Sequence, residues 1–347
     1  MVLGGRRVPV RRPRVRGVGV AAGEVPVPAY EHFSQVDVLE TMAVERMLAG
    51  LSTRRYQLGL EPVGEAVEAA ATSTSKSAVS RRFVQATERA LGELVSRDLS
   101  GLDVVAVMID GVHFAEHLCV VALGVTDDGT KVPLGLVEGA TENTTVVTGL
   151  LEDLRDRGLD VTRPMLVCID GAKALRSAVC RIFDKPVIAR CQLHKIRNVE
   201  DHLPERLRPE AARRMREAHR QDSHLEAKAK LERLAKDLER THPGAAASVR
   251  EGLDETLTVL RLGLPASLRS TFRSTNAVES MISIARDHSR NVKRWRGGQM
   301  SLRWCAAGML EAEKQFRRVK GHRHLPQLRA ILEHQFAETI DNQAEAA

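Results

Sequence analysis

From residue 31 to about residue 100, apolar positions recur at helical spacing, and after Leu99 the period shortens to that of a strand. In the first stretch, residues 65–71 are rich in Ala and Glu, residues 72–75 are a polar break, and a second helix is predicted to begin near Lys76. On that helix Val79, Phe83, Ala86 and Ala90 share one face, leaving Ser77, Ser80, Arg81 and Gln85 toward solvent. An apolar docking stripe with short polar and basic side chains near the N-terminus is what a helix-turn-helix presents to a nucleic-acid groove. Lys76, Ser77, Ser80 and Arg81 are therefore candidate DNA contacts, although any helical hairpin with a Ser/Thr-rich turn shares the pattern.

Beyond residue 100 the alternation predicts three consecutive strands, over residues 104–110, 118–126 and 131–138, the last two joined by the tight turn Asp127-Asp-Gly-Thr130. A helix over residues 144–157, a buried strand over 165–170, a helix over 173–182 and a short strand over 186–189 follow. Strands that first meander and then alternate with helices predict an α/β fold, a mixed sheet flanked by helices. Residues 201–243 contain no Gly and are dense in Ala, Glu, Arg, Lys and Leu, the composition of long exposed helices. The predicted organisation is thus a basic extended arm (1–30), a helix-turn-helix-like region (31–100), the α/β domain in two parts (101–200 and 269–325), an all-helical insertion between them (201–268), and a C-terminal helix and tail (326–347).

Composition narrows the class. With 347 residues, 43% of them hydrophobic, the chain can bury a substantial core. Lys and Arg number 52 against 45 Asp and Glu, a net charge of +7 that favours a polyanionic partner. Residues 1–16 hold Arg6, Arg7, Arg11, Arg12, Arg14 and Arg16 with no acid, which reads as an extended arm or edge ribbon, either solvated or in contact with DNA. The longest apolar runs, 104–109 and 119–125, fall far short of the roughly 20 residues that cross a bilayer, so no membrane span is expected. Five cysteines, an odd and scattered number, do not suggest a disulfide framework, and no secretory signal is evident; an intracellular, cytoplasmic protein is expected.

The candidate chemistry begins with two apolar strands that both run into Ile-Asp-Gly, at Asp110 and at Asp170. A single aspartate there is most simply a turn residue. Two in neighbouring strands suggest a shared carboxylate site, because close carboxylates repel unless a cation lies between them. Magnesium or manganese accepts such oxygen ligands, and a pair of ions about 4 Å apart activates the attacking oxygen and stabilises the leaving one in phosphoryl displacement. Such a site needs a third acid. Glu279 is the candidate metal ligand to join Asp110 and Asp170, in the first turns of a helix whose Val278, Met281, Ile282 and Ala285 can dock. Taken alone it would be a solvated charge.

Cys191 and His194 could be half of a zinc site, but no second pair at suitable spacing is evident; a nucleophilic Cys-His pair lacks an orienting acid nearby, which leaves packing beside Asp170 as the other reading. Residues 286–324 carry eleven Lys/Arg against three acids, a density that suits a DNA track, with Arg286, Arg290, Lys293 and Arg294 as its candidate contacts. Trp295 and Trp304 could stack on bases or fill the core, the commoner use.

At this point the residues resemble a known family. Asp110-Gly-Val-His-Phe, Ala122-Leu-Gly-Val-Thr-Asp-Asp-Gly-Thr-Lys131, Leu134-Gly-Leu-Val-Glu-Gly139, Arg157-Gly-Leu, Asp170-Gly-Ala-Lys-Ala-Leu175 and Arg190-Cys-Gln-Leu-His-Lys-Ile-Arg-Asn198 together resemble the Mutator-type transposases of bacterial insertion sequences. The resemblance covers most of the chain. It implies a ribonuclease-H-like domain with an Asp-Asp-Glu triad of Asp110, Asp170 and Glu279, and identifies Cys191 and His194 with the family's Cys-x-x-His signature near the second acid. It further implies an enzyme, with two magnesium or manganese ions per site, that binds the terminal inverted repeats of its element, cleaves DNA and joins the ends to target DNA as a homodimer or higher oligomer. A transposase-derived DNA-binding regulator without catalysis, and a structure-selective nuclease on the same fold, remain the alternatives.

Overall fold

The structure is a computed structural model that describes residues 75–345 except 142 and, before them, residues 2–3, 6–11, 14–17, 23–35, 45, 48, 50–51, 62 and 64–72. Two units are distinguished, residues 1–90 with 286–294, and residues 91–285 with 295–347. In the first, the arginine-rich start forms a short antiparallel ribbon, β1 (Val2–Leu3) with β2 (Arg6–Arg7), and Arg7 bridges to Thr72. Helices α1 (Pro28–Gln35), α2 (Glu65–Ala70) and α3 (Lys76–Val95) follow, the last beginning where the polar break ends. Val79 and Phe83 on α3 are buried, while Lys76, Ser77, Ser80, Arg81 and Gln85 are exposed, as the periodicity predicts. Thr87 joins the buried face because its hydroxyl donates to the Phe83 carbonyl at 2.9 Å. Much of the expected helix-turn-helix region, including residues 36–44 and 52–61 and turn residues 73–74, lies outside the described residues.

The second unit is built on a five-stranded mixed sheet whose strands lie in the order Lys131–Gly139, His117–Thr126, Val104–Phe114, Met165–Ile169 and Pro186–Arg190. Strands β3 (Val104–Phe114), β4 (His117–Thr126) and β5 (Lys131–Gly139) form the antiparallel meander. Asp128 closes the second hairpin by accepting from the Thr126 hydroxyl at 2.6 Å and the Thr130 amide at 3.0 Å. Helix α4 (Thr144–Asp156), whose first turn is capped by the Asn143 side chain, leads to β6 (Met165–Ile169), and α5 (Lys173–Ile182) to β7 (Pro186–Arg190). Strands β6 and β7 run parallel to β3.

Strand alternation sorts the core into two faces. Val107, Ile109, Val167 and Ile169 pack with Leu150, Leu151 and Leu154 of α4 and Leu175 and Val179 of α5. Ala106, Met108, Leu166 and Cys168 face the other way and pack under the helices Asn276–Ser289, Gly298–Glu313 and Leu325–Glu345.

Between β7 and those helices the described chain is helical throughout: α6 (Gln192–Asp201), α7 (Arg208–His219), α8 (His224–Glu239), α9 (Pro243–Arg250), the single turns α10 (Leu253–Thr256) and α11 (Thr258–Arg261), and α12 (Ala266–Phe272). It has its own core, with Ile196, Met215, Leu231 and Val249 among its members. Buried Arg190, the last residue of β7, holds this block to the sheet through Glu251 at 2.7 Å and Glu255 at 2.5 Å. Lys195, also buried, reaches Glu251 at 3.0 Å.

Helices α13 (Asn276–Ser289), α14 (Gly298–Glu313) and α15 (Leu325–Glu345) complete the chain. Gly308 of α14 allows a close crossing with α13, since a Cβ there would lie 2.5 Å from the Ala285 Cα. Trp304 is buried, and Trp295 packs between it and Phe114, with ring centroids 6.4 and 4.8 Å apart respectively. Both indoles belong to packing. Among the described residues no helix is long and apolar enough to cross a membrane.

Candidate active site

Asp110 does not end its strand. β3 continues four residues beyond it, paired to β4 with Asp110 opposite Val121, whereas Asp170 follows the last residue of β6. The expectation that both aspartates sit at strand ends thus holds for Asp170 alone. What exposes Asp110 is the shorter neighbour: the parallel ladder pairs Val107 with Val167 and Met108 with Cys168, so β6 stops just as β3 passes the aspartate. The offset of that ladder is the 60-residue interval between Asp110 and Asp170, which brings the two to the same height on the sheet. Asp110 has the parity of Met108 and Asp170 that of Cys168, which directs both to the face covered by α13. On α13, Val278, Met281 and Ile282 dock into that core, and Glu279 lies between them in the first turn.

Each carboxylate is held by one oxygen. The Gly111 amide donates to Asp110 Oδ1 at 2.9 Å, the Ala172 amide to Asp170 Oδ1 at 2.8 Å, and the Thr275 hydroxyl to Glu279 Oε1 at 2.8 Å. Gly171 makes the Asp170 turn with φ of 109°, a left-handed conformation that favours glycine. Among the described residues, Asp110 and Asp170 accept no other hydrogen bond, so one oxygen of each faces the site uncommitted. Burial pushes the Asp110 carboxyl up to about 6, and the charges of Asp170 and Glu279 push in the same direction, against the Gly111 amide and His194. The three acids therefore share one electrostatic neighbourhood.

Cys191 and His194 join them. The thiol, imidazole and carboxylate ligand atoms of Cys191, His194 and Glu279 all lie within 4.8 Å of one another. His194 Nδ1 is buried, has no hydrogen-bond partner among the described residues and stands 3.9 Å from Glu279 Oε1. The Cys191 thiol beside it holds the imidazole up to about 9 against the cost of burial, and Asp110 and Glu279 add to the effect. For Cys191, burial raises the thiol pKa, but the contacts with His194 and Thr275 prevail and lower it. The pair thus has a third potential ligand, Glu279, that local spacing could not reveal. Thr275, which touches both Cys191 and Glu279, had no sequence signal beyond its place before the helix.

Residues 28–319 match the family described as "Transposase, Mutator family". The chain belongs to the Mutator family of transposases. It is 30% identical over 254 residues to the transposase for insertion sequence element IS6120 of Mycolicibacterium smegmatis, covering 71% of this chain and 75% of that one. It is 24% identical over 310 residues to the transposase for insertion sequence element ISRM5 of Rhizobium meliloti, covering 89% and 77%. With the transposase of IS256 in transposon Tn4001 of Staphylococcus aureus it shares 28% identity over 206 residues, covering 54% and 50%.

In this Mutator-family chain the residues expected to meet DNA separate from the acids. Lys76, Ser77, Ser80, Arg81, Arg286, Arg290, Lys293 and Arg294 are all exposed and fall in the first unit, while Asp110, Asp170, Cys191, His194 and Glu279 fall in the second. Helix α13 runs from one to the other, with Glu279 near its start and Arg286 in its last turn. Farther along the expected track, Lys314 is paired with Glu311 and Arg318 with Asp128, so the later part of the basic excess is partly neutralised.

Proposed function

We propose that this Mutator-family protein is a DNA transposase of the Asp-Asp-Glu type, with a ribonuclease-H-like catalytic domain. It binds the terminal inverted repeats of its insertion sequence, cleaves phosphodiester bonds to free 3′ hydroxyls and joins those ends to target DNA. The observation that supports this reading is the matched position of Asp110 and Asp170 on adjacent strands, on the face under the helix that carries Glu279, with an oxygen of each aspartate uncommitted and the Asp110 carboxyl pushed up to about 6 by burial first and then by the charges of Asp170 and Glu279. Crowded, under-neutralised carboxylates with free oxygens fit a hard divalent cation.

Two magnesium or manganese ions would be held by Asp110 and Asp170 between them, with Glu279 completing one shell. When bound, such ions supply an activated attacking oxygen and a stabilised leaving oxygen. The chain's own residues do the rest. Gly111 and Ala172 amides fix the two aspartates, Thr275 orients Glu279, and the β-sheet sets the spacing before DNA arrives, which is the preorganisation that in-line displacement requires. The exposed Lys76, Arg81, Arg286, Arg290, Lys293 and Arg294, with Ser77 and Ser80, grip the backbone of the same DNA, the first group in a helix-turn-helix-like arrangement.

The test is purified protein with magnesium or manganese on a duplex that carries the end of its element. Cleavage followed by joining to a second duplex is expected. Binding to that end with no cleavage under either metal would leave a DNA-binding regulator instead, and cutting without joining would leave a nuclease.

A further inference from the structure

Away from the acids, α6, α7, α11 and α12 line an open pocket of about 190 Å³ whose lining includes Gln192, His219, Arg220, Arg269 and Arg273. A second of about 110 Å³ shares Gln192, His219, Arg220 and Arg273 and adds Arg216. Neither lining contains an acid. That is unusual for this block of helices, where Arg213 pairs with Glu210 and Glu217, Arg214 with Asp237 and Arg250 with Glu239. Of the cavity arginines, Arg269 alone has an ion pair among the described residues, with Asp222 at 3.0 Å, and that carboxylate is almost fully solvated. Arg216, Arg220 and Arg273 have none.

His219 adds a second observation. Its Nε2 is buried and has no hydrogen-bond partner among the described residues. Burial first, and then the charge of Arg273, push this imidazole down to about 4, so at neutral pH it is uncharged while it sits in a positive field. An oxyanion in the cavity would accept from the guanidinium groups and from His219 together, relieving both the field and the orphaned nitrogen. At about 190 Å³ the cavity has room for a tetrahedral anion and several waters, each with a liquid share of about 30 Å³.

We infer that this cavity is a phosphate-binding pocket, and that its occupant in the working protein is a backbone phosphate of DNA. The choice of DNA over a free anion rests on the proposed function and on where the pocket is tied. Gln192 follows Cys191 directly, and its amide donates to the Arg273 carbonyl at 2.9 Å. Arg273 is in turn two residues before Thr275, whose hydroxyl holds Glu279. The pocket therefore shares its backbone with the segments that carry Cys191, His194 and Glu279, so that a strand at the acids can place a neighbouring phosphate in it. Its anchoring there by arginine would fix the strand's register without reading sequence.

The experiment is fluorescence anisotropy of the full chain with a labelled duplex, in chelator so that no metal-dependent step intervenes, across a salt series. Arg220 and Arg273 are exposed at the surface, so Arg220→Gln/Arg273→Gln should keep the wild-type melting temperature. The slope of log affinity against log salt should then fall by about 0.9 for each arginine removed, and affinity should drop severalfold at all sequences. Arg220→Lys/Arg273→Lys, which keeps the charge, should retain most of the slope. An unchanged slope and affinity in the glutamine variant would overturn the inference while leaving the acid site untouched. Calorimetric binding of inorganic phosphate or ATP that the glutamine variant abolishes, with its DNA slope intact, would reassign the pocket to a free anion and overturn the DNA occupant. Failure of the wild type to bind DNA at all would remove the proposed function, and this occupant with it.

Discussion

At the scale of single residues, Asp110 is held in a state that costs stability. Its carboxyl stands at about 6 in the folded protein, above the usual value for an aspartate near 3.9 in an unfolded chain. Between those values the folded state binds more protons than the unfolded state, so stability falls as pH rises through the window and is lowest above it. Metal-free Asp110→Asn is therefore expected to be more stable at pH 7 than the wild type by on the order of 2 kcal/mol, with a flatter profile between pH 4 and 6. A thermal melt series checks this, and a variant less stable than wild type at pH 7 would contradict the crowding of the acids. His219 carries the opposite sign. Its folded value of about 4 lies below the 6.5 of an unfolded histidine, so the unfolded state binds more protons in that window and stability is lost as pH falls from 6.5 toward 4. His219→Gln should remove that acid-side loss, on the order of 2 kcal/mol, in chemical denaturation at pH 5 against pH 7.

At the scale of elements, the site depends on how closely α13 lies on the sheet and on its neighbour. Gly308 permits the crossing, and Gly308→Ala would press a methyl to 2.5 Å from the Ala285 backbone. The expected result is a loss of about 1–3 kcal/mol together with a fall in cleavage larger than any fall in DNA affinity, because Glu279 moves with the helix. Equal losses of cleavage and affinity would remove that link. Much of this level was legible from pattern alone. The meander, the helix over residues 173–182 and the onset of α3 at Lys76 follow from changes of period and from polar breaks, signals that are local to the chain. The continuation of β3 past Asp110 was not, because it depends on where the neighbouring strand stops. Nor was the approach of Glu279 to Cys191 and His194, whose partners lie more than 80 residues apart in sequence and meet only through docking of α13. Arg190 and Lys195 were hidden for a related reason: buried cations are rare, and only the arrival of Glu251 and Glu255 from the helical block makes them tolerable.

At the scale of the whole molecule, the proposed DNA contacts fall in the first unit and the proposed acids in the second, so on the proposed function the two roles should be separable in solution. Lys293→Gln/Arg294→Gln is expected to lower the salt slope of DNA binding by about 0.9 per charge without changing the thermal stability of the protein, since both side chains are exposed and have no ion pair among the described residues. Anisotropy over a salt series checks it, and an unaltered slope would take these residues out of the interface. The net charge of +7 sets the background against which such differences are read, so ionic strength has to be held fixed in every comparison.

The measurement that bears most directly on the account is single-turnover cleavage of an element-end duplex with manganese, comparing the wild type with Asp110→Asn, Asp170→Asn and Glu279→Gln at matched DNA occupancy. Each variant is predicted to bind the duplex and to lose cleavage by about a thousandfold or more, the scale of removing an electrostatic contributor to a transition state. Wild-type cleavage by any one of the three would show that its carboxylate is not part of the site.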